Sequence, residues 1–249
     1  MPKRSDENQM TKENETKILA IIPARGGSKS IPKKNMQDVA GKPLLWYTFQ
    51  AVQNSNLVNR TIFSSDDEDM IEYAKSNNIE VPFIRPSSLS TDIASTYDVI
   101  KHTLDFLIKE SGYIPDYIIL LQPTSPLRTA KHIDEAIKKL IKLKGDSLVS
   151  VTELPHNHHP SKLMKLEKDK KDRLKPLAGK ENLIRRQDME HLYVRNGAAI
   201  YIFTYDLFVR EKRLIGDDCI AYFMNAAESV DIDDFEDLKL ADLIIKDRE

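Results

Sequence analysis

Short apolar runs alternate with amphipathic helical patterns along the chain from Lys17 onward. Apolar runs bounded by polar segments are typical of buried parallel strands, and apolar residues spaced three and four apart are typical of the helices that connect them. The pattern predicts strands over residues 18–22, 60–64, 80–84, 117–121, 147–151, 198–203 and 220–224. It predicts helices near 43–55, 67–77, 95–110, 129–144 and 234–246, with a short helix from Thr204. The predicted fold class is therefore α/β, a three-layer sandwich with a mostly parallel, Rossmann-like sheet.

The alternation stops between residues 153 and 195, which are rich in proline, histidine and mixed charge. These residues are predicted to form an insertion. Cations and anions are mixed in the run 165–175, which favours a solvated hairpin or arm over a nucleic-acid contact. The sequence His156-Asn157-His158-His159 has no partner cysteine pair and no H-E-x-x-H helix, so a polar interface loop is favoured over a zinc site.

Length and composition favour one main domain. The chain has 249 residues, 41% of them hydrophobic, which is enough for one sizeable core. Residues 17–249 are predicted to form this domain, and the polar residues 1–16 a disordered leader without a secretory signal. The net charge of −2 argues against nucleic acid or an anionic membrane as a partner. A single cysteine, Cys219, and apolar runs too short to span a bilayer predict a cytoplasmic protein.

A glycine pair and several cations follow the first apolar run, in the loop 23–35 that reads P-A-R-G-G-S-K-S-I-P-K-K-N. Glycines at a strand exit let backbone N–H groups approach an anion, and arginine and lysine neutralise its charge. The spacing fits neither the Walker motif nor the dinucleotide fingerprint. The loop therefore predicts a polyphosphate site, with an ordinary surface turn as the alternative. Since ligands gather beyond the carboxyl ends of parallel strands, the loops 23–35, 85–94 and 122–128 are expected to share one cleft.

Two aspartates near the end of the chain, Asp231 and Asp233, stand two residues apart in a segment that reads as extended. Their carboxylates would face the same side. Magnesium prefers one or two carboxylates together with waters and substrate phosphates, so the pair suits a metal that bridges a nucleoside triphosphate. The alternative is that Asp233 caps the last helix together with Glu236. Both interpretations remain open at this point, because capping uses one carboxylate oxygen and leaves Asp231 free.

Several motifs in order resemble the CMP-acylneuraminate cytidylyltransferases over nearly the whole chain, from Lys17 to Asp247. They are I-P-A-R-G-G-S-K at 22–29, I-P-K-K-N at 31–35, R-P at 85–86, L-Q-P-T-S-P-L-R at 121–128, R-R-Q-D at 185–188, N-G-A at 196–198 and D-I-D at 231–233. The resemblance implies a nucleotide-diphospho-sugar transferase fold. It also implies transfer of CMP from CTP to a nine-carbon 2-keto-3-deoxy sugar acid, with release of pyrophosphate.

The resemblance also implies roles for individual residues. Those expected to bind the nucleotide are Arg25, Gly26, Ser28, Lys34, Asn35, Arg85 and Thr96. Those expected to bind the sugar acid are Gln122, Lys162, Arg186, Asn196 and Tyr201. Asp231 and Asp233 are expected to hold Mg²⁺, for which Mn²⁺ could substitute, and Arg25 and Lys34 to join them in catalysis. The family works as a homodimer whose inserted arm reaches the partner's site, so His159 and Lys162 are expected to line that partner's sugar pocket.

Two departures from the family pattern bear on these roles. Ser30 replaces a frequent glycine, which would matter if that residue needs a positive φ. The segment Asn196–Tyr201 carries one alanine more than usual, which shifts the parity of Tyr201 along its strand. The sequence does not identify the sugar acid or a general base. The alternatives are a nucleotidyltransferase of the same fold for another sugar or nucleotide, and a nucleotide-binding module without catalytic activity.

Overall fold

A computed structural model describes residues 16–167, 172–177, 187 and 190–248 of the protein. The strands are β1 Ile18–Pro23, β2 Asp38–Val39, β3 Lys42–Pro43, β4 Arg60–Ser64, β5 Tyr117–Leu120, β6 Ser147–Glu153, β7 Met164–Leu166, β8 Leu174–Pro176, β9 Tyr193–Arg195, β10 Tyr201–Thr204 and β11 Cys219–Phe223. The α-helices are α1 Leu44–Gln53, α2 Glu68–Ser76, α3 Thr96–Ser111, α4 Ala130–Leu143, α5 Tyr205–Glu211 and α6 Phe235–Lys246. None of these helices is long and apolar enough to cross a membrane.

Seven of the described strands form one sheet, in the order β11-β6-β10-β5-β1-β4, with β9 paired to the end of β6. The β1 strand pairs in parallel with β4 and β5, and β11 pairs in parallel with β6. The β10 strand runs antiparallel between β5 and β6. The prediction of a mostly parallel sheet is confirmed. Because β1 and β5 lie side by side, the loops that follow them leave the same edge.

The two faces of the sheet bury separate apolar clusters, so the molecule has three layers. On one face Ile18, Ala20 and Ile22 pack with residues of α1, α2 and α4, among them Phe49. On the other face Leu19 and Ile21 pack with residues of α3 and α5. The alternation along β1 follows the period of two that sends successive side chains to opposite faces. The predicted three-layer sandwich is confirmed.

A third, smaller cluster lies under the loops at the carboxyl edge of the sheet. Ile31 from the loop 23–35, Leu127 from the loop after β5 and Ile232 from the D-I-D motif are all buried in it, together with Ala241 and Ile245 of α6. Three loops that are far apart in the sequence therefore share one anchor. This cluster holds the cationic loop and the acidic motif next to each other.

Two predicted strands differ from the observed ones. Residues 80–84 make a single parallel bridge, from Glu80 to Ile62, rather than a strand. Pro82 has no N–H to donate to a ladder, and Ile84 is 65% exposed at this edge. The strand predicted from residue 198 begins only at Tyr201, since the preceding carbonyl of Ala199 accepts a hydrogen bond from Arg128 instead.

The capping prediction for the last helix is wrong by one residue. The side chain of Asp234 accepts the N–H groups of Glu236 and Asp237, and Asp237 completes the capping box. Asp233 is therefore not the cap, which leaves its carboxylate free for another role. Thr129 caps α4 by accepting the N–H of His132.

The predicted insertion contains a hairpin, in which β7 pairs antiparallel with β8. It leaves the main sheet after β6 and returns through β9. Of the predicted leader 1–16, all but Thr16 lies outside the described residues.

Candidate active site

A cavity of about 510 Å³ opens at the carboxyl edge of the sheet. A volume of this size is typical of small-molecule sites. Cationic and acidic side chains face each other across it: Arg25, Lys29, Lys34, Arg85, Asp92, Asp231 and Asp233. Gly27, Ser28, Asn35, Thr96 and Gln122 also line it. The structure thus brings together the loops 23–35, 85–94 and 122–128, together with the acidic pair.

The loop after β1 owes its shape to close contacts with the loop after β4. The N–H of Gly26 donates to Asp66 Oδ1 at 3.1 Å, and a Cβ added to Gly26 would lie 2.8 Å from the Asp67 carboxylate. A side chain at position 26 would therefore force this contact apart. Because its N–H is already bonded, Gly26 supports the loop, and its neighbour Gly27 lines the cavity.

In this loop Lys33 adopts the left-handed backbone conformation, with a φ of 48°. Ser30 is absent from the positive-φ residues of the described chain. The replacement of the family's frequent glycine by serine therefore costs no backbone strain here.

Arg85 is the most buried cation of the cavity, with 4% of its surface exposed. It donates to the carbonyl of Ala24 at 2.9 Å, to Asp66 at 3.2 Å and to the hydroxyl of Ser90 at 3.0 Å. Burial lowers the pKa of the Arg85 guanidinium, and the bond to Asp66 opposes that shift. Arg85 thus joins the cationic loop to the segment that carries Asp92, in addition to lining the cavity.

A direct bond links the cationic loop to the acidic motif. Lys34 Nζ donates to the carbonyl of Ile232 at 2.7 Å, across 198 positions of sequence. The N–H of Ile232 donates to the carbonyl of Thr124 at 2.8 Å, which adds the loop after β5 to the same network. With the side chain of Ile232 buried beneath, the carboxylates on either side of it are directed at the cavity.

The environment of Asp231 disfavours its charge. Burial raises the pKa of Asp231 and the charge of Asp233 raises it further, whereas hydrogen bonds from Thr124 and Ser125 act in the opposite direction. Gly197, which has a φ of +68°, lies directly against this carboxylate, and a Cβ there would overlap it. A partly buried carboxylate whose proton affinity is raised by a neighbouring carboxylate is suited to a cation.

The donor set fits magnesium. Within the described ranges, no group of three or more histidine, cysteine, aspartate or glutamate side chains is arranged to hold a metal ion. The carboxylates of Asp231 and Asp233 both line this cavity and are suited to supply two ligands. Magnesium typically takes one or two carboxylates and completes its octahedron with waters and substrate phosphates.

A second cavity of about 440 Å³ adjoins the first and shares Thr96 and Gln122 with it. Tyr201 and Arg195 also line it, with the apolar side chains of Val194 and Leu214. Tyr201 follows the extra alanine and still faces this cavity.

Among the described residues with a predicted sugar role, Asn196, Lys162 and His159 line neither of these two cavities. The buried amide of Asn196 donates to Ser229 Oγ at 2.9 Å, beside the segment that leads to Asp231. Lys162 belongs to the short turn Pro160–Lys162 and, within the described chain, lines neither of the two joined cavities. Arg186 lies outside the described residues. His159 lines a different cavity of about 650 Å³, between the inserted region and the segment 223–226.

Sequence reasoning missed Asp92 and Arg195 as residues of the two cavities. Each is an isolated charge in a segment without periodicity, and no motif includes them. The one available signal was position, because Asp92 falls within a loop that was expected to border the cleft.

Comparison with known proteins gives consistent results. A sequence model described as Cytidylyltransferase matches residues 19–244. An N-acylneuraminate cytidylyltransferase of Streptococcus agalactiae serotype III is 38% identical over 224 residues, which are 89% of this chain and 51% of the relative. The chain thus spans about half the length of that relative. A pseudaminic acid cytidylyltransferase of Campylobacter jejuni subsp. jejuni is 30% identical over 230 residues, 92% of this chain and 97% of the relative.

Among solved structures, a CMP:2-keto-3-deoxy-manno-octonic acid synthetase in complex with CTP superposes with a TM-score of 0.69 at 15% identity. The superposition covers 94% of this chain and 100% of the other. At that identity the likeness establishes the fold, which is the predicted nucleotidyltransferase type.

Proposed function

Since this chain belongs to the cytidylyltransferase family, we propose that it activates a nine-carbon 2-keto-3-deoxy sugar acid with CTP. The anomeric hydroxyl of the sugar attacks the α-phosphorus, the bond to the β-phosphate breaks, and CMP-sugar, pyrophosphate and a proton are formed. The observation that carries the proposal is the meeting of a cationic loop and an acidic pair in one cavity, joined by the bond from Lys34 to Ile232.

The residues around the first cavity would bind and align the triphosphate. Attack at phosphorus depends mainly on alignment and on neutralising charge on the phosphate oxygens and the leaving pyrophosphate. Arg25, Lys34 and the hydroxyl of Ser28 are suited to that task. Asn35 and Thr96 would contact the nucleoside, and Arg85 would hold the loop that carries Arg25 while it borders the nucleotide.

Asp231 and Asp233 would hold Mg²⁺, or Mn²⁺ in its place. The ion would supply positive charge next to the phosphates, where negative charge develops during the transfer. The raised pKa of Asp231 supports this role, because a cation would relieve the repulsion between the two carboxylates.

The sugar acid would occupy the second cavity, next to the nucleotide. Gln122 borders both cavities, and Tyr201 presents a hydroxyl to the second. The planar guanidinium of Arg195 is suited to bind both oxygens of the sugar's carboxylate. Asn196 would act on the sugar indirectly, through the segment 225–231 that it holds.

The active form would be a homodimer through the inserted arm. The hairpin and β9 expose a group of large apolar side chains: Leu163, Met164, Leu166, Leu174, Leu177, Tyr193 and Val194. Exposed apolar patches of this kind favour a protein interface. His159 and Lys162 would then reach the sugar cavity of the second copy. We place the reaction in the cytoplasm, where CTP is available and the unpaired Cys219 would stay reduced.

Release of pyrophosphate tests the proposal. The purified protein is incubated with Mg²⁺, one of CTP, UTP, GTP or ATP, and one of a panel of sialic, legionaminic, pseudaminic and eight-carbon sugar acids. Pyrophosphate is expected only with CTP and a nine-carbon acid, and the panel identifies which acid. Preference for another nucleotide would contradict the proposal, as would tight CTP binding without turnover on any acid.

A further inference from the structure

The cavity contains a carboxylate that neither the metal role nor the phosphate role uses. Asp92 Oδ1 accepts from Arg25 Nη1 at 2.6 Å, and Asp92 Oδ2 lies 2.7 Å from Lys29 Nζ. Each carboxylate oxygen therefore has its own cation, and all three side chains line the nucleotide cavity. Arg25 and Lys29 both belong to the loop that is suited to the triphosphate.

The bridge that Asp92 forms between Arg25 and Lys29 resembles the contact that a phosphate would make. A carboxylate between an arginine and a lysine presents two anionic oxygens to two cations, as a phosphoryl group does. A phosphate that approached Arg25 and Lys29 would meet the negative charge of Asp92 between them. The carboxylate and the phosphate cannot both hold these cations in the geometry observed here.

The two ion pairs of Asp92 can also be broken at little cost in folding stability. Arg25, Lys29 and Asp92 expose 39%, 80% and 44% of their side chains, and such exposed ion pairs contribute little to folding stability. The neighbouring Ile93 is 94% exposed and therefore does not anchor this part of the loop to the body of the protein. Moving Asp92 away therefore breaks the two ion pairs without removing Ile93 from a buried position.

We propose that Asp92 is an internal competitor for the phosphate-binding cations and thereby sets the affinity for CTP and for pyrophosphate. The inference rests on the proposed function, because it takes Arg25 to be a contact of the triphosphate, and it extends that role to Lys29 of the same loop. In the free protein Asp92 occupies both cations, and CTP binds by displacing it. After the transfer, return of Asp92 to Arg25 and Lys29 helps pyrophosphate to leave.

The competition predicts a selective effect on ligands. Ligands that carry the β- and γ-phosphates, or pyrophosphate itself, have to displace Asp92, whereas cytidine has no group that meets these cations. Removal of the Asp92 charge is therefore expected to tighten the binding of CTP and pyrophosphate and to leave the binding of cytidine unchanged. A residue that merely oriented Arg25 for the phosphate would have the opposite effect on CTP.

The test compares Asp92→Asn with the wild type by calorimetric titration of CTP, pyrophosphate and cytidine. Two exposed ion pairs predict that the dissociation constants of CTP and pyrophosphate fall by about fivefold in the variant. The inhibition constant of pyrophosphate in the forward reaction is expected to fall by the same factor. Asp92→Glu retains the charge and is expected to keep the CTP affinity within about twofold of the wild type.

Asp69→Asn is the matched control. Asp69 pairs with Lys33 of the same loop at 2.7 Å, but neither residue lines the cavity, so CTP affinity should not change. Equal or weaker CTP binding by Asp92→Asn, with normal wild-type binding, would overturn the inference about Asp92 alone. Failure of the wild type to bind CTP, or unchanged binding by Arg25→Ala, would instead overturn the proposed site on which it rests.

Discussion

Individual residues of the site occupy environments that lower the stability of the folded protein. The carboxylate of Asp231 is partly buried beside Asp233, and Gly197 makes room for it by having no side chain. Such an arrangement is retained at functional sites because a ligand relieves it. The sequence predicted the pair of carboxylates, and the requirement for Gly197 could be recognised only when the two segments were seen in contact.

Asp231→Asn is therefore expected to stabilise the metal-free protein while abolishing activity. Because the folded state raises the pKa of Asp231, its contribution to stability is fully present below the unfolded pKa of about 3.9 and is lost as the pH rises through the folded pKa. The free energy of unfolding of the variant should exceed that of the wild type at pH 7, and the difference should shrink towards pH 3. Urea unfolding in the presence of a chelator measures both values. A variant that is less stable than the wild type at pH 7 would contradict the environment described for Asp231.

At the scale of elements, the third apolar cluster aligns loops that are not joined to one another by β-strand pairing in the described structure. Ile31, Leu127 and Ile232 bring the loop after β1, the loop after β5 and the segment before α6 to one place. Arg128 adds bonds from its buried guanidinium to the carbonyls of Gln122 and Ala199. The geometry of the cavity thus depends on packing beneath it as much as on the side chains that line it.

Ile232→Ala is expected to lower the free energy of unfolding by about 3 kcal/mol, as for other fully buried isoleucines. The KM for CTP should also rise, because both carboxylates flank the residue that loses its anchor. Ile93→Ala makes the same chemical change at a position that is 94% exposed, and its stability should stay within about 0.5 kcal/mol of the wild type. Chemical denaturation and initial-rate kinetics measure the two effects. A normal KM for CTP in a destabilised Ile232→Ala protein would show that the third apolar cluster does not position the site.

At the scale of the whole molecule, the inserted arm exposes large apolar side chains that do not belong to the apolar clusters of the described core. Leu166 and Leu174 are opposite each other in the β7–β8 pair and are 66% and 59% exposed. The double variant Leu166→Glu and Leu174→Glu is expected to convert a dimer to a monomer with an unchanged far-ultraviolet spectrum, because the arm does not contribute to the core. Light scattering at several protein concentrations measures the mass. A monomeric wild type, or a dimeric double variant, would contradict the proposed interface.

The sequence predicted what depends on local periodicity and on motifs. The alternation of buried and amphipathic segments gave the layers and most of the sheet, because parallel strands buried on both faces are continuously apolar. It was wrong where a single residue overrode the pattern, as Pro82 does in the segment 80–84. It could not predict Asp92 or Arg195, since an isolated charge has no periodic signal and the partners of Asp92 are distant in sequence.

The affinity for CTP, measured by titration with and without Mg²⁺, tests whether the cationic loop and the acidic pair bind one magnesium-bearing triphosphate. The wild type is compared with the double variant Asp231→Asn and Asp233→Asn, whose folding is checked by its unfolding transition. Mg²⁺ is expected to tighten CTP binding by at least about tenfold in the wild type and to have little effect on CTP binding by the variant. The same enhancement by Mg²⁺ in both proteins would contradict it.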